Sequence, residues 1–377
     1  MKGFTIRLYP NKEQEILMRK HIGCQRYIYN WGLNLNNKLY ETKQKKYSVV
    51  ELGKMLTQYK KEVDWLNEVS NATLKEALRN LDKAYNNFYK CRAKLPKFKS
   101  KKKSNDTFYS RYEKIKFYEN NTVNLEKIGK VKCKSSYNVD FTQITKFSNP
   151  NVTFNGRCWV LRFSIEIKNN HTELTDKVLG IDLGIKQLAI VNEDGLDIPN
   201  INKTKVVKNL EKKLKRLQRK CSRKYENNRE GGRYQKTKNI VKLELKIKKL
   251  HRKLKNIKLN YIHQATSKMV KTKPKIIVTE TLKISNMMRN RHLAKSIAQQ
   301  CFYKFIEQMK YKCKYNGIEF IQVPIFYPSS KMCSCCGSIK KDLKLSDRTY
   351  KCNCGFICDR DKNAAYNLAN YGLEISL

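Results

Sequence analysis

Two kinds of side chain occur here in types and spacings that could do chemistry. The first is cysteine. In "SSKMCSCCGSIKKDLKLSDRTYKCNCGFICDRDKNAAYNL" (Ser329 to Leu368), Cys333 and Cys336 form a CxxC, and after a fifteen-residue gap Cys352 and Cys354 form a CxC. Glycine follows each pair at once, Gly337 and Gly355, as in two knuckles that close four thiolates around a tetrahedral zinc ion. Cys335 and Cys358 are near enough in sequence to replace a ligand in either half, and a redox pair is the rival chemistry. The other seven, Cys24, Cys91, Cys133, Cys158, Cys221, Cys301 and Cys313, are scattered singly and read as small buried hydrophobes. An odd total of 13, clustered at one end, is not a disulfide framework and fits a reducing cytoplasm.

The second kind is carboxylate. Asp182 lies in "GIDLG", Glu280 in "VTET" and Asp361 in "DRDKNAA". If the fold gathered them, they would repel one another and hold protons rather than all ionise. Magnesium resolves such a cluster because hard oxygen ligands suit it, with manganese as a substitute. Two ions about 4 Å apart would activate a water and steady the leaving oxygen of a phosphodiester. Asp359 competes with Asp361 for the third place, although Asn363 and two alanines, which permit close helix packing, favour Asp361. "GIDLG" also occurs in actin-like ATPases. Those need further glycine-rich phosphate loops, and the 15 glycines of this chain show no such cluster after a later strand.

The elements that would position these groups follow from periodicity. "KVLGIDLGIKQLAIVNEDG" predicts two strands joined by a tight turn. A basic segment from about 203 to 268 carries Leu210, Leu214 and Leu217, then Leu243, Ile247, Leu250, Leu254, Ile257 and Tyr261. The polar break "YENNREGGRY" between the two sets predicts a helical hairpin. Next come a buried-type strand, "PKIIVTET", a helix from Leu293 to about Tyr315, a strand, "IEFIQVPIF", and a terminal helix. That order is how a ribonuclease H-like domain is laid out, with Asp182 in its first strand, Glu280 ending its fourth and Asp361 opening its last helix. Three carboxylates meeting at one edge of such a sheet imply hydrolytic cleavage of nucleic acid.

The N-terminal half has another character. "FTIRLYP" predicts a strand, and Asn11 with Gln14 a helix start. Leu17, Cys24, Ile28, Trp31 and Leu35 mark one face of that helix. From Ser70 a second helix carries Leu74, Leu78, Leu81, Tyr85 and Phe88, with Asn71, Lys75, Arg79 and Lys83 opposite. The stretch 88–118, including "KLPKFKSKKKSNDTFYSRYEKIKFYE", interleaves cations with rings, a composition suited to phosphates and stacked bases. Short strands with Asn and Gly turns run to Ile167. Over all 377 residues, 80 Lys plus Arg against 33 Asp plus Glu give a formal charge of +47, which calls for a polyanion. No apolar run is long enough to span a membrane, so nucleic acid is the expected partner.

With these residues assembled, the sequence resembles TnpB, the transposon-encoded RNA-guided nuclease family related to type V CRISPR effectors. "GIDLGIKQLAIV", "VTETLKISNM", "SSKMCSCCG" and "CNCGFICDRDKNAAYNL" match its three RuvC-like motifs and zinc ribbon. "IRLYPNKEQ", "GCQRYIYNWGL" and "LPKFKSK" extend the match more loosely to the N-terminus. The resemblance implies a multidomain α+β chain. A wedge β-barrel domain (1–10 and 96–172) is split around a helical recognition domain (11–95). A RuvC-like α/β nuclease domain (173–332 and 355–377) carries the basic hairpin (about 203–268) and an inserted zinc ribbon (333–354). It further implies a catalytic trio of Asp182, Glu280 and Asp361 holding two magnesium ions, and one structural zinc on Cys333, Cys336, Cys352 and Cys354. The implied partners are a guide RNA from the transposon end and double-stranded DNA, cut beside a short adjacent motif. Which residues read the adjacent motif does not carry over, because the sequence departs from the family there. From the basic helix face and the cation-rich stretch, the expected nucleic-acid contacts are Asn71, Lys75, Arg79, Lys97 and Lys99, in a prokaryotic cytoplasm at the nucleoid; no oligomeric state follows from the sequence. All three acidic positions are filled, unlike in the nuclease-dead repressors derived from the family. A miniature CRISPR effector would share this chemistry. A guide-free structure-selective nuclease would share the trio but would have little need of so large a basic helical half.

Overall fold

The period-two pattern of the first residues gives β1 (Lys2–Tyr9), which buries Phe4, Ile6 and Leu8 and exposes the residues between them. In this computed structural model all residues are described except 1, 43, 102–103, 136–139, 143, 145–146, 167–172, 345–346, 377 and the side chain of Ser376. The last two lysines of "KFKSKKK" and the expected boundary near His171 therefore lie outside the described residues. The chain divides into two units, Met1–Ile167 and Lys168–Leu377.

In the first unit Asn11 starts α1 (Lys12–Glu41) through a reciprocal capping box. Gln14 N donates to Asn11 Oδ1 at 2.7 Å, and Asn11 N donates to Gln14 Oε1 at 3.1 Å. The buried stripe of α1 runs through Met18, Ile22, Ile28, Tyr29 and Leu33, broader than the single row expected. α2 (Val49–Glu62) opens on the same device, Ser48 with Glu51, and is a helix that the sequence expectations lack. α3 (Asn71–Tyr89) follows Ser70 as expected and buries Leu74, Leu78, Leu81 and Tyr85 against α1 and α2. The remaining strands are β2 (Thr107–Tyr109), β3 (Lys116–Tyr118), β4 (Thr122–Leu125), β5 (Gly129–Lys134), β6 (Ser148–Phe154) and β7 (Trp159–Ile165). They form an antiparallel sheet of order β2-β6-β7-β1-β5-β4-β3, so the N-terminal strand lies at its centre and β2 and β3 are its outer strands.

The second unit opens with a meander, β8 (Thr175–Leu183), β9 (Gln187–Val191) and β10 (Ile198–Pro199). The basic hairpin follows: α4 (Lys205–Glu226), a small pair β11 (Arg229–Glu230) and β12 (Arg233–Tyr234), and α5 (Lys238–Lys271). Then come β13 (Pro274–Thr279), α6 (Ile284–Met287), α7 (Arg291–Gln300), α8 (Phe302–Asn316) and β14 (Glu319–Gln322). The chain ends with β15 (Thr349–Lys351), β16 (Ile357–Asp359) and α9 (Arg360–Ser376). The expected single helix from Leu293 to Tyr315 is two helices, broken at Cys301, whose φ is 57°. The break has a packing reason. Gln300, buried at the end of α7, donates to Gly184 O at 3.0 Å and Ile185 O at 3.1 Å, and the left-handed Cys301 then starts α8 with Phe302, Phe305, Met309 and Cys313 in the core.

The second unit's main sheet has the order β10-β9-β8-β13-β14, antiparallel through the meander and parallel from β8 to β13 to β14. The main strands and helices along this unit follow the predicted order apart from the break at Cys301. The faces of β8 divide by parity: Leu179, Ile181 and Leu183 join the core beneath α5 and α8. Val178, with Ile276 and Val278 of β13, packs instead against Leu368 and Ala369 of α9.

Candidate functional site

Register brings two of the acidic residues together. β13 runs parallel to β8 with Val278 opposite Gly180 and Thr279 opposite Ile181, so one step on Glu280 stands beside Asp182. Both belong to the parity that faces α9, and strands this close leave their side chains in contact. The closeness of Glu280 is felt at Asp182, whose neutral form it favours. Burial pushes the Asp182 carboxyl well above the usual range. The proximity and charge of Glu280 and the charge of Asp361 add to that push, and Arg360 opposes it.

The third carboxylate arrives because α9 lies very close to β8. A Cβ on Gly180 would meet Ala365 O at 2.0 Å and Ala369 N at 2.5 Å, so the backbone of the helix occupies the space a side chain would need. Glycine two residues before Asp182 and small residues on α9 bring the start of that helix close enough for the Asp361 charge to reach Asp182. Among the described residues, however, the three carboxylates do not close to the mutual spacing of the cysteine cluster. The neighbouring Asp359 is differently engaged. Its Oδ1 accepts from Asp361 N at 2.9 Å and Lys362 N at 3.3 Å, which makes it the cap of α9. Lys362 Nζ donates to Val191 O and Asp194 Oδ1, both at 2.8 Å, and fastens the same helix end to the meander.

Two arginines at this edge are absent from the sequence expectations. Arg360 Nη2 lies 3.1 Å from Asp361 Oδ1, and Arg348 Nη1 lies 3.7 Å from Asp361 Oδ2. Arg360 is legible from its place between the two aspartates of "DRD". Arg348 comes from the cysteine-rich segment by tertiary folding and leaves no local signal.

The cysteines form a second centre. The Sγ atoms of Cys333, Cys336, Cys352 and Cys354 all lie within 4.8 Å of one another. Cys333 to Cys354 is 3.8 Å and Cys336 to Cys352 is 3.6 Å. An ion bound tetrahedrally by sulfur at about 2.3 Å needs ligands about 3.8 Å apart, so the cluster fits a structural zinc site. Cys335 and Cys358 are not in this group; Cys335 is exposed and Cys358 Sγ turns toward Asp359 O at 3.1 Å. Gly337 and Gly355 have φ of 74° and 89°, the left-handed turn each knuckle requires. The Ser338 hydroxyl, 3.1 Å from Cys336 Sγ and 3.2 Å from Cys352 Sγ, lowers both thiols, Cys352 to about 6. Cys333, through burial, and Cys354, through the neighbouring thiols, are pushed up, so without an ion the four do not all ionise. The ribbon's hairpin, β15 with β16, runs on to Asp359 and so into the cap of α9.

The expected nucleic-acid contacts are distributed over the first unit. Asn71, Lys75 and Arg79 are exposed on α3, and Lys75 and Arg79 line a groove of about 340 Å³ with Lys54 and Thr57 of α2. Lys97 is exposed, whereas Lys99 turns inward. Its Nζ sits 3.6 Å from the centroid of the Tyr29 ring, and its backbone exchanges hydrogen bonds with the Asn30 amide at 2.8 and 2.9 Å. In the second unit a cleft of about 1060 Å³ between the basic hairpin and α7–α8 is lined by Lys215, Lys255, Lys258, Lys295 and Lys304. Among the described residues no helix is long and apolar enough to cross a membrane.

Comparison with known proteins agrees with this architecture. Family models match residues 1–45 ("Helix-turn-helix domain" of OrfB_IS605), 162–291 ("Probable transposase", OrfB_IS605) and 302–368 ("Cas12f1-like, TNB domain"). The chain is 31% identical over 396 residues to "Putative RNA-guided DNA endonuclease InsQ" of Escherichia coli (strain K12), covering 99% of this chain and 92% of that one. It is 27% identical over 385 residues to a protein described as "Putative RNA-guided DNA endonuclease" from Streptomyces pristinaespiralis, covering 100% and 90%. Its fold is similar to a chain of the cryo-EM structure of a Cas12f1–sgRNA–target DNA complex, with TM-score 0.60 and 16% identity over 96% of this chain and 83% of that one. On the full-length similarity, the chain belongs to the TnpB family.

Proposed function

We propose that this chain is an RNA-guided, metal-dependent DNA endonuclease of the transposon type, cutting double-stranded DNA beside a short adjacent motif. The observation that carries the reading is the Asp182–Glu280 contact within reach of the Asp361 charge, in a chain whose full-length relatives bear the RNA-guided endonuclease description. Asp182, Glu280 and Asp361 form a hard-oxygen set suited to two magnesium or manganese ions. Such ions, when bound, make a water nucleophilic and neutralise charge on the phosphodiester. The chain's own residues hold that arrangement. Gly180 admits α9, Asp359 and Lys362 fix its first turn, and Asp182, whose burial favours the neutral carboxyl, would have to be ionised to hold a cation. Arg348 and Arg360 border the site as donors for phosphate oxygens.

The domain limits carry over as part of this proposal: a wedge domain of 1–10 and 96–172, and a recognition domain of 11–95. The RuvC-like nuclease is 173–332 and 355–377, around a zinc ribbon of 333–354. The lysine-lined cleft suits the backbone of a guide RNA or its heteroduplex, while base pairing supplies sequence information. We assign the reading of a few base pairs of duplex to the exposed α3 face with Asn71, Lys75 and Arg79, with Lys97 as a further phosphate contact. Lys99, held on Tyr29, would act mainly as a strap.

The test mixes RNA-free protein, magnesium and a plasmid library, with and without the transcript of the gene's own downstream flank. Cutting only with the transcript, at sites that change with the guide's free end, is expected, and so is its loss in Asp182→Ala or Glu280→Ala. Equal, sequence-blind cutting in both tubes would leave a guide-free nuclease.

A further inference from the structure

The cysteine cluster and the carboxylates share one helix, and the contacts between them are specific. Asn363, Asn367 and Asn370 fall at i, i+4 and i+7 of α9 and so form one stripe. Each bonds to backbone of the segment that carries the first knuckle. Asn363 Nδ2 donates to Met332 O at 2.7 Å, and Asn363 Oδ1 accepts from Ser334 N at 3.0 Å. Its amide thus brackets Cys333 from both sides. Asn367 Nδ2 donates to Ser329 O at 2.7 Å and Met332 O at 2.6 Å, and Asn370 Nδ2 donates to Ser334 O at 3.2 Å. Asn363 and Asn367 are both fully buried.

A buried amide with both ends used is a rigid tie, because breaking either bond strands a polar group away from water. Asn363 also lies two residues after Asp361, in the first turns of α9. The second knuckle is joined to the same place by chain: Cys354 leads through β16 to Asp359, the helix cap. One end of α9 is therefore gripped by both knuckles, by covalent chain from one and by the Asn363 amide from the other. The four thiols converge between the knuckles. Tyr350, itself completely buried, adds hydrogen bonds to Lys331 O and Ser338 O, but little other apolar packing backs the ribbon.

Resting on the functional reading above, we propose that Asn363 is a positioning residue that transmits occupancy of the cysteine site to Asp361. Filling the cysteine site with zinc raises the affinity of the carboxylate site for a divalent cation. By linkage the effect is reciprocal, and couplings of this kind are commonly about 5- to 150-fold.

The experiment titrates manganese into full-length protein, counting bound ion by the loss of the free-manganese electron paramagnetic resonance signal, with zinc content measured on each sample. Wild type, Asn363→Ala, Asn370→Ala and Asp182→Ala are each prepared zinc-loaded and zinc-stripped. Wild type is expected to bind manganese about tenfold more tightly when zinc-loaded, a coupling within the usual range. Asn363→Ala should retain its zinc yet bind manganese at the stripped level in both states, while Asn370→Ala, which loses a single bond farther along the helix, should keep the wild-type difference. Equal affinity in loaded and stripped wild type overturns the proposal. So does an Asn363→Ala chain that keeps the tenfold difference, or an Asn370→Ala chain that loses it as fully. Should Asn363→Ala precipitate, Asn363→Ser, which also removes the reach to Met332 O and Ser334 N, takes its place with the same expected outcomes. Manganese binding that survives Asp182→Ala would instead refute the carboxylate site itself, and the coupling with it.

Discussion

Asp359 and Asp361 flank Arg360, and their hydrogen bonds divide their roles. Asp359 spends its carboxylate on the first N–H groups of α9, while Asp361 pairs with two arginines and its charge reaches Asp182. Asp359→Ala should cost about 1 kcal/mol, the usual worth of a helix cap, and lower the melting temperature while some guide-directed cleavage persists. Asp361→Ala should leave the melting temperature nearly unchanged and abolish cleavage; the reverse outcome would exchange the two assignments. A second prediction concerns His21, which is fully buried in the first unit. Ser70 N donates to its Nε2 at 3.1 Å and its Nδ1 lies 2.8 Å from Leu17 O, an arrangement that fits the neutral ring with its proton on Nδ1. Burial lowers its pKa, partly offset by the Leu17 bond and the Glu126 charge. The unfolded chain then takes up a proton near pH 6.5 that the native chain refuses. This contribution to stability is complete above about pH 6.5 and is lost as pH falls from there through the lowered native value. Between about pH 7 and pH 5 the melting temperature of wild type should fall more than that of His21→Gln, and parallel curves would contradict the assignment.

The elements that hold these residues differ in how far local sequence reveals them. The capping box at Asn11 and the alternation of β1 are local, and the structure contains both where the sequence puts them. The box at Ser48 is equally local, and Val49, Leu52, Leu56 and Tyr59 recur at helical spacing, so α2 was legible in the sequence and is simply missing from the expectations. Each motif that carries an acidic residue is local too. Their meeting is not: Glu280 beside Asp182 is a matter of β8–β13 register, and Arg348 reaches Asp361 only through the ribbon. Lys99 reads as one more cation of "KFKSKKK", and only its contact with Tyr29 reveals a strap. Gly180 concentrates the point, because its reason is the backbone of a helix far along the chain. Gly180→Ala would drive a Cβ to 2.0 Å from Ala365 O, backbone that cannot yield without moving α9. Overpacking of this kind costs about 1–3 kcal/mol or more, and here it should also displace Asp361 and depress cleavage beyond the stability loss. Gly23→Ala is the contrasting case, since nothing lies within 4 Å of the place its Cβ would take in the middle of α1. It should stabilise by about 0.5–1 kcal/mol. Equal melting temperatures for the two variants would refute both arguments.

At the scale of the whole molecule, a formal charge of +47 shapes how the protein meets its partners. Like charge at this density opposes compaction, and a bound polyanion relieves it. RNA that binds the native chain should therefore raise its melting temperature with RNA concentration, as any ligand selective for the folded state must. Displaced counterions drive such binding, so affinity should fall steeply with salt, by about 0.7–0.9 in the log–log slope for each phosphate neutralised. The lysine-lined cleft of the second unit makes this quantitative. Lys215, Lys255 and Lys295 are exposed on three different helices around one cleft of about 1060 Å³, a volume that admits a nucleic-acid backbone. Replacing all three by Gln removes charge while keeping length and helix propensity, so the fold should survive. If the cleft holds RNA phosphates, the slope should shrink by roughly 2–3 while the melting temperature without RNA stays the same. A weakened affinity with an unchanged slope would mean that the lysines act only through the long-range field. An unchanged affinity and slope would move the RNA to another face of the protein.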